Sequence, residues 1–123
     1  MNDSKDTVAR FFFSRWLEFA RESFKEGSPE FALFYCNLCR NTAKDKRLGL
    51  NSLEETKLKL VENSASLLLA KNWWDIATDK DCPCNPGMAM QFCSEFLGRT
   101  GLSSSALGIT QVEFDKIEQQ LGR

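Results

Sequence analysis

Cysteine thiols are the groups in this sequence whose type and spacing most readily suggest chemistry. Two pairs stand close together along the chain, Cys36-x-x-Cys39 and Cys82-x-Cys84, and a fifth thiol follows at Cys93. Four thiolates are the ligand set that tetrahedral zinc sites and iron–sulfur clusters use. A metal-binding module in which these two pairs hold zinc or an iron–sulfur cluster is therefore one interpretation of the sequence.

The surroundings of the cysteines favour buried side chains over metal ligands. Cys36 and Cys39 fall within an apolar helical pattern rather than on the loop where paired ligands usually stand. A redox pair in the second motif would be tightly restrained, and the acids Asp79 and Asp81 beside it tend to raise thiol pKa values. We therefore predict a protein without a cofactor and keep zinc as the alternative.

The absence of histidine removes the commonest routes to catalysis. The sequence contains none, which excludes the Ser-His and Cys-His nucleophile pairs and every metal site with an imidazole ligand. Adjacent carboxylates fall at predicted helix starts and turns, and the sequence has no glycine-rich phosphate loop. We therefore predict that the protein is not an enzyme.

Length and charge indicate one globular domain that does not bind polyanions. The chain of 123 residues is 42% hydrophobic, includes ten Phe and three Trp, and has a formal net charge of −1. This size predicts a single helical domain over residues 1–123. A non-specific nucleic-acid binder needs a surplus of Lys and Arg to displace counterions, and this sequence has no surplus.

The N-terminal stretch "MNDSKDTVARFFFSRW" does not have the pattern of a secretory signal. Asp3 and Asp6 precede its apolar residues, and Arg10 and Arg15 interrupt them. No apolar run approaches the roughly 20 residues of a membrane span. We expect a cytoplasmic protein without a membrane partner, in a compartment where thiols are normally reduced.

Apolar periodicity predicts an all-α fold, a compact bundle of five to six helices. The predicted helices span residues 4–26, 29–43, 52–74, 87–97 and 110–121. The first should bury a wide face that includes Phe12, and the second should bury Phe31 and Phe34. The spacings Ser52-x-x-Glu55 and Thr110-x-x-Glu113 predict capping boxes at two helix starts.

Residues 16–44 resemble a single tetratricopeptide-like helical hairpin. Within "FARESFKEGSPEFALFYCNLC", large and small residues fall at or near the positions of that repeat, with Ala20 and Ala32 twelve residues apart. Such small residues allow two antiparallel helices to approach closely while aromatic side chains fill the flanks. The resemblance implies an antiparallel hairpin at the base of the bundle, and a scaffold that binds peptides or proteins.

Basic residues gather around the end of the second predicted helix, at Arg40, Lys44, Lys46 and Arg47. One interpretation is a small anion-binding patch. The preferred interpretation is a set of cations that interact favourably with the helix C-terminus, followed by a solvated loop.

The C-terminal segment offers a third function. Around Gly108 it resembles the turn and second helix of a degenerate helix-turn-helix, which suggests a nucleic-acid-associated regulator. The second helix would, however, present Glu113, Asp115 and Glu118 to the phosphates, and these acids would be repelled. A capped, amphipathic closing helix is the preferred interpretation, and we predict against nucleic acid as a partner.

Aromatic and methionine side chains support a different role, the binding of another protein. Trp and Met are enriched at interfaces, and two adjacent tryptophans on a helix point about 100° apart. We therefore predict a small cytosolic interaction module, an adaptor, inhibitor or regulator, which binds another protein or itself as a homodimer. The predicted surface consists of Trp73, Trp74, Met88, Met90 and Phe92.

Overall fold

The computed structural model describes residues 2–81 and 85–121, with side chains from Thr7 onward. Within these ranges the chain forms five α-helices and one short 3-10 helix, with no strand, which confirms the predicted all-α class. The elements are α1 (Asn2–Lys25), α2 (Pro29–Asp45), α3 (Ser52–Thr78), α4 (Pro86–Thr100), the 3-10 helix (Ser104–Leu107) and α5 (Gln111–Leu121).

The chain divides into two compact units, Met1–Ala65 and Ser66–Arg123. Each unit has its own cluster of buried apolar side chains. Helix α3 contributes its first half to the first unit and its second half to the second. The single domain expected over residues 1–123 stays a prediction.

An antiparallel pair of helices, α1 and α2, forms most of the first unit. The turn after α1 contains Gly27, whose φ is 84°, and α2 begins two residues later at Pro29. Far from this turn, the Cys39 thiol donates a hydrogen bond to the carbonyl oxygen of Phe13 at 3.5 Å. Residues late in α2 thus meet residues early in α1, as the predicted antiparallel hairpin requires.

Small side chains occupy the contact between these two helices. Ala20 of α1 and Ala32 of α2 are both fully buried, as are Cys36 and Cys39. Because a methyl group is buried completely only when backbone lies close to it, the two helices approach closely here. The larger members of this core lie beside the contact, at Phe13, Leu17, Leu48, Leu58 and Val61.

Three phenylalanines that were expected to be buried are exposed instead. The exposed fractions are 47% for Phe12, 62% for Phe31 and 56% for Phe34. The expectation was wrong because the apolar faces of α1 and α2 are wider than their shared contact, and small residues occupy that contact. The aromatic side chains at the edges of each face are therefore left in solvent.

Helix α3 starts with a capping box one residue earlier than predicted. The side chain of Asn51 accepts a hydrogen bond from the backbone N–H of Glu54 at 2.8 Å, and the Glu54 carboxylate accepts one from the Asn51 N–H at 3.0 Å. The box predicted for Ser52 and Glu55 is wrong because Asn is as good a cap as Ser. The shift leaves the Glu55 carboxylate free to pair with α2.

The guanidinium of Arg40 connects α2 to the first half of α3. It donates to both carboxylate oxygens of Glu62, at 2.6 and 3.2 Å, and to those of Glu55, at 2.8 and 3.0 Å. Hydrogen bonds to Glu62, followed by those to Glu55, raise the pKa of Arg40 above its ordinary value. All three groups are partly buried, so this network is worth more than an exposed pair.

The second unit packs the end of α3 against α4 and α5. The indole of Trp74 stacks on the ring of Phe114 at 5.5 Å between centroids. The hydroxyl of Thr110 accepts a hydrogen bond from the Glu113 N–H at 3.2 Å, which is one of the two hydrogen bonds of the capping box predicted for α5. The apolar cluster at the core of this unit consists of Ala70, Ala77, Ala89, Met90, Cys93, Leu97, Ile109 and Phe114.

Two glycines of α4 differ in what surrounds them. A β-carbon at Gly87 would overlap the backbone carbonyl oxygen of Leu121, at the end of α5, whereas one at Gly98 would meet nothing within 4 Å. Gly87 therefore allows the start of α4 to lie against the backbone of α5.

We expect Gly87→Ala to lower the free energy of unfolding by about 1–3 kcal/mol, because the backbone of α5 must move to admit a methyl group. The matched change Gly98→Ala should raise it by about 0.5–1 kcal/mol, because alanine has the higher helix propensity. Urea unfolding followed by circular dichroism measures both. Equal effects of the two substitutions would contradict the close approach at Gly87.

We expect Arg40→Gln to destabilise the protein by about 1–2 kcal/mol, because two partly buried carboxylates lose their charged partner. Arg15→Gln is the matched control, since its pair with Glu18 is exposed and spans 3.4 Å; we expect it to cost less than about 0.5 kcal/mol. Urea unfolding at low and high salt measures both. A loss for Arg15→Gln as large as that for Arg40→Gln would count against the network.

Candidate functional site

The structure brings part of the predicted partner surface together in the second unit. The indole of Trp73 packs on the ring of Phe92 at 4.9 Å between centroids, and both side chains remain partly exposed. Met88 lies one turn before Phe92 on α4 and is 55% exposed. We call Trp73, Met88 and Phe92 the tryptophan patch.

The other two residues of that prediction are placed differently. Met90 is only 1% exposed and belongs to the core, because it lies on the face of α4 that also carries Cys93 and Leu97. The prediction that Met90 belongs to the partner-binding surface is therefore wrong. Trp74 is half-buried, and its ring is covered on one side by Phe114.

A larger apolar concavity lies in the first unit, between α1 and α2. This open groove of about 1010 Å³ is lined on one side by Val8, Phe12 and Trp16, and on the other by Leu38 and the last turns of α2. Its volume is at the upper end of the range typical of ligand pockets. We call it the hairpin groove.

Two apolar side chains that line the groove, Val8 and Phe12, are about half exposed to solvent. Val8 is 55% exposed and Phe12 is 47% exposed, and the neighbouring Phe11, which packs edge-on against Phe12, is 60% exposed. Val8, Phe12 and Trp16 are spaced by four residues, so they form one ridge along α1. This ridge is exposed at Val8 and Phe12 and half-buried at Trp16.

Charged residues lie at one end of the hairpin groove, where α2 finishes. Asp45, Lys46 and Arg47 line this end and are exposed. Within the part of the chain that the structure describes, the side chains of Lys46 and Arg47 make no ion pair. The described residues that line this end thus include two cations and one carboxylate.

The backbone at Arg47 has an unusual conformation. Its φ is +51°, and its N–H donates to the carbonyl of Lys44 at 3.2 Å while that of Leu48 donates to Ala43 at 2.8 Å. This is the Schellman arrangement that ends many helices, in which glycine is the usual residue at the left-handed position. A side chain with a β-carbon costs roughly 1–2 kcal/mol in that conformation.

The sequence predicts that the basic residues around the end of α2 form a solvated helix end. That interpretation fails for Arg40, which is partly buried in an ion-pair network. The sequence feature that corresponds to the groove is the four-residue spacing of Val8, Phe12 and Trp16. The spacing was visible, but it did not distinguish a ridge that faces solvent from one that faces the core.

The three described cysteines are buried thiols. The Cys36, Cys39 and Cys93 side chains are fully buried. Burial raises the pKa of Cys36 and of Cys39 to about 12, with a further contribution from the Glu62 carboxylate, and it raises that of Cys93 to about 11. These three thiols are therefore protonated at neutral pH, and zinc binding would release their protons.

The rest of the proposed four-cysteine site, Cys82 and Cys84, lies outside the described residues. Among the side chains described, those of residues 7–81 and 85–121, no three metal-ligating groups come together to hold an ion. The zinc and iron–sulfur interpretation therefore stays a hypothesis.

The C-terminal segment differs from a helix-turn-helix in its first element. The residues before Gly108 form a 3-10 helix of four residues, Ser104–Leu107, which is shorter than the helix that crosses the DNA backbone in that motif. Glu113, Asp115 and Glu118 of α5 are exposed. Both features disfavour phosphate binding by this segment.

Comparison of the chain with protein-family models, with curated proteins and with solved structures finds no match. Among the described helices, none combines the length and the apolar character that crossing a membrane requires.

We expect the free energy of unfolding to fall between pH 9 and pH 12. The unfolded thiols release their protons near pH 9, whereas Cys36 and Cys39 keep theirs up to about pH 12 in the folded protein. The unfolded state therefore binds fewer protons in this window and is favoured as the pH rises, by at most about 1.4 kcal/mol per thiol and pH unit.

Urea unfolding at pH 8, 9.5 and 10.5 measures this decline. Cys39→Ala is the matched variant, because it removes one titrating thiol and adds no charge. Its stability should decline less steeply with pH than that of the wild type. Parallel declines would show that Cys39 does not carry a raised pKa.

Proposed function

We propose that the protein is a small cytoplasmic interaction module, an adaptor, inhibitor or regulator, which has no catalytic activity and binds another protein through the hairpin groove. The observation that supports this proposal most directly is the apolar lining of an open groove. Val8 and Phe12 are about half exposed in a concavity of about 1010 Å³. The lack of histidine in the sequence supports the non-catalytic part of the proposal.

The energetics favour occupation of the groove by apolar side chains. Covering the exposed parts of Val8 and Phe12 would contribute on the order of 1 kcal/mol each, and Trp16 and Leu38 offer further apolar area. Anchors that enter a concavity are the residues that dominate interface energies. The groove therefore suits a partner that inserts large apolar side chains.

The tryptophan patch is the weaker candidate for the same function. The ring of Trp73 is already covered on one side by Phe92, which is itself only 36% exposed. Met88 is the remaining well-exposed member. A partner would gain less from covering this patch than from filling the groove.

The key test is the substitution Phe12→Ser. We expect it to weaken partner binding about tenfold or more, since an apolar anchor at the centre of an interface is worth about 1.4 kcal/mol or more. Phe34→Ser is the matched control, because Phe34 is 56% exposed on the same hairpin but does not line the groove. Affinity purification with quantitative mass spectrometry compares the bound proteins, and circular dichroism confirms that each variant is folded.

Met88→Ser tests the tryptophan patch in the same experiment. Loss of partners from Met88→Ser alone would transfer the function to that patch. Retention of every partner by both variants would reject the proposed function. Sedimentation of the purified protein shows whether the partner is a second copy of this chain.

A further inference from the structure

Arg47 occupies a backbone position that glycine takes elsewhere in the chain. Among the described residues, four have a positive φ, and the other three are Gly27, Gly101 and Gly108. The connection after α1 has the same pair of hydrogen bonds as the end of α2, with Gly27 at the left-handed position. The strain at Arg47 is therefore not required by the turn, which glycine would form more favourably.

Among the side chains that the structure describes, none forms an ion pair with Arg47 that would explain this strain. Four other arginines form ion pairs, and these are Arg10, Arg15, Arg40 and Arg99. Arg47 makes none with the described residues, although Asp45 lies only two positions away. Strained positions that internal contacts do not explain are found at ligand-binding sites.

We propose that the hairpin groove binds an acidic amphipathic helix of a partner protein, with a carboxylate of that helix paired to Arg47. This inference rests on the proposed function and adds the chemistry of the partner. The apolar ridge would receive one face of the helix, and the cations at the groove's end would receive its charge.

The length of the groove along α1 corresponds to about two turns of a bound helix. Val8 and Trp16 are eight residues apart on α1, which corresponds to about 12 Å of helix axis. A bound helix would place apolar side chains at positions i, i+4 and i+7 along this distance, the usual pattern of a helix in a groove. Its acidic residues would follow at the end nearest Val8, where α2 finishes.

Charge at that end favours a carboxylate over a cation. Among the described residues that line this end, Lys46 and Arg47 carry two positive charges and Asp45 carries one negative charge. The guanidinium of Arg47 can donate two parallel hydrogen bonds to one carboxylate, which gives direction as well as attraction. A basic helix would instead place its charges against these two cations.

A displayed library of helical peptides tests the proposal. Each peptide carries apolar anchors at i, i+4 and i+7, and the three positions beyond the last anchor vary among Glu, Gln and Lys, at either end of the peptide. We expect the wild-type protein to select Glu at one end. Arg47→Gly should bind the selected peptides about tenfold more weakly and lose the preference for Glu. Arg47→Lys should retain a smaller preference for Glu, because an ammonium keeps the charge but cannot donate the two parallel hydrogen bonds of a guanidinium.

Stability separates recognition from a structural role of Arg47. We expect Arg47→Gly to raise the melting temperature, because glycine relieves the strain at φ of +51°. A lower melting temperature would mean that the Arg47 side chain stabilises the end of α2, and this result would overturn the inference. Phe34→Ser should leave both peptide affinity and charge preference unchanged.

The remaining outcomes distinguish the two proposals. Selection of apolar peptides without a preference for Glu would overturn the inference and leave the proposed function standing. If the wild type selects no peptide more strongly than Phe12→Ser does, the inference fails, and the proposed function then depends on the affinity purification, in which retention of every partner by Phe12→Ser and Met88→Ser would reject it. A homodimer that Phe12→Ser dissociates would assign the groove to a second copy of this chain and would also overturn the inference.

Discussion

The burial of alanine side chains between α1 and α2 is the constraint on which the first unit depends. Ala20 and Ala32 are fully buried at the contact of these two helices, and the core of the second unit also contains buried alanines, Ala70 and Ala89. A methyl group brings two helix backbones close together and leaves no room there for an aromatic ring. Larger side chains must lie beside these contacts, where some complete the core and others remain in solvent.

The exposed aromatic surface of the first unit is a consequence of this arrangement. Phe12 belongs to the apolar face of α1 but lies beyond the part that α2 covers, and together with Val8 and Trp16 it lines the hairpin groove. The Arg40 network keeps the first half of α3 against α2, in a position fixed by charge as well as by apolar contact. The hairpin thus keeps an uncovered apolar ridge, on which the proposal of partner binding rests.

Much of the fold could be predicted because local chemistry specifies it. Apolar periodicity indicated the five helices, Ala20 and Ala32 indicated the hairpin, and Thr110 capped α5 as expected. The cap of α3 was misplaced by one residue because Asn51 and Ser52 are equally good caps, and only the path of the chain distinguishes them. Met90 was assigned to the surface because residue type alone does not specify which face of α4 meets the core.

Some features of this protein depend on the local sequence and others on the tertiary structure. The sequence by itself determined which segments are helical, that cysteines within an apolar pattern are buried, and that histidine chemistry is absent, because these depend on residue type and short-range spacing. The tertiary structure decided which phenylalanines are exposed and that Arg47 adopts a left-handed conformation at the rim of a groove. Exposure depends on what a neighbouring helix covers, and backbone strain depends on hydrogen bonds that form only when the helix end is folded, so neither is encoded in the local pattern.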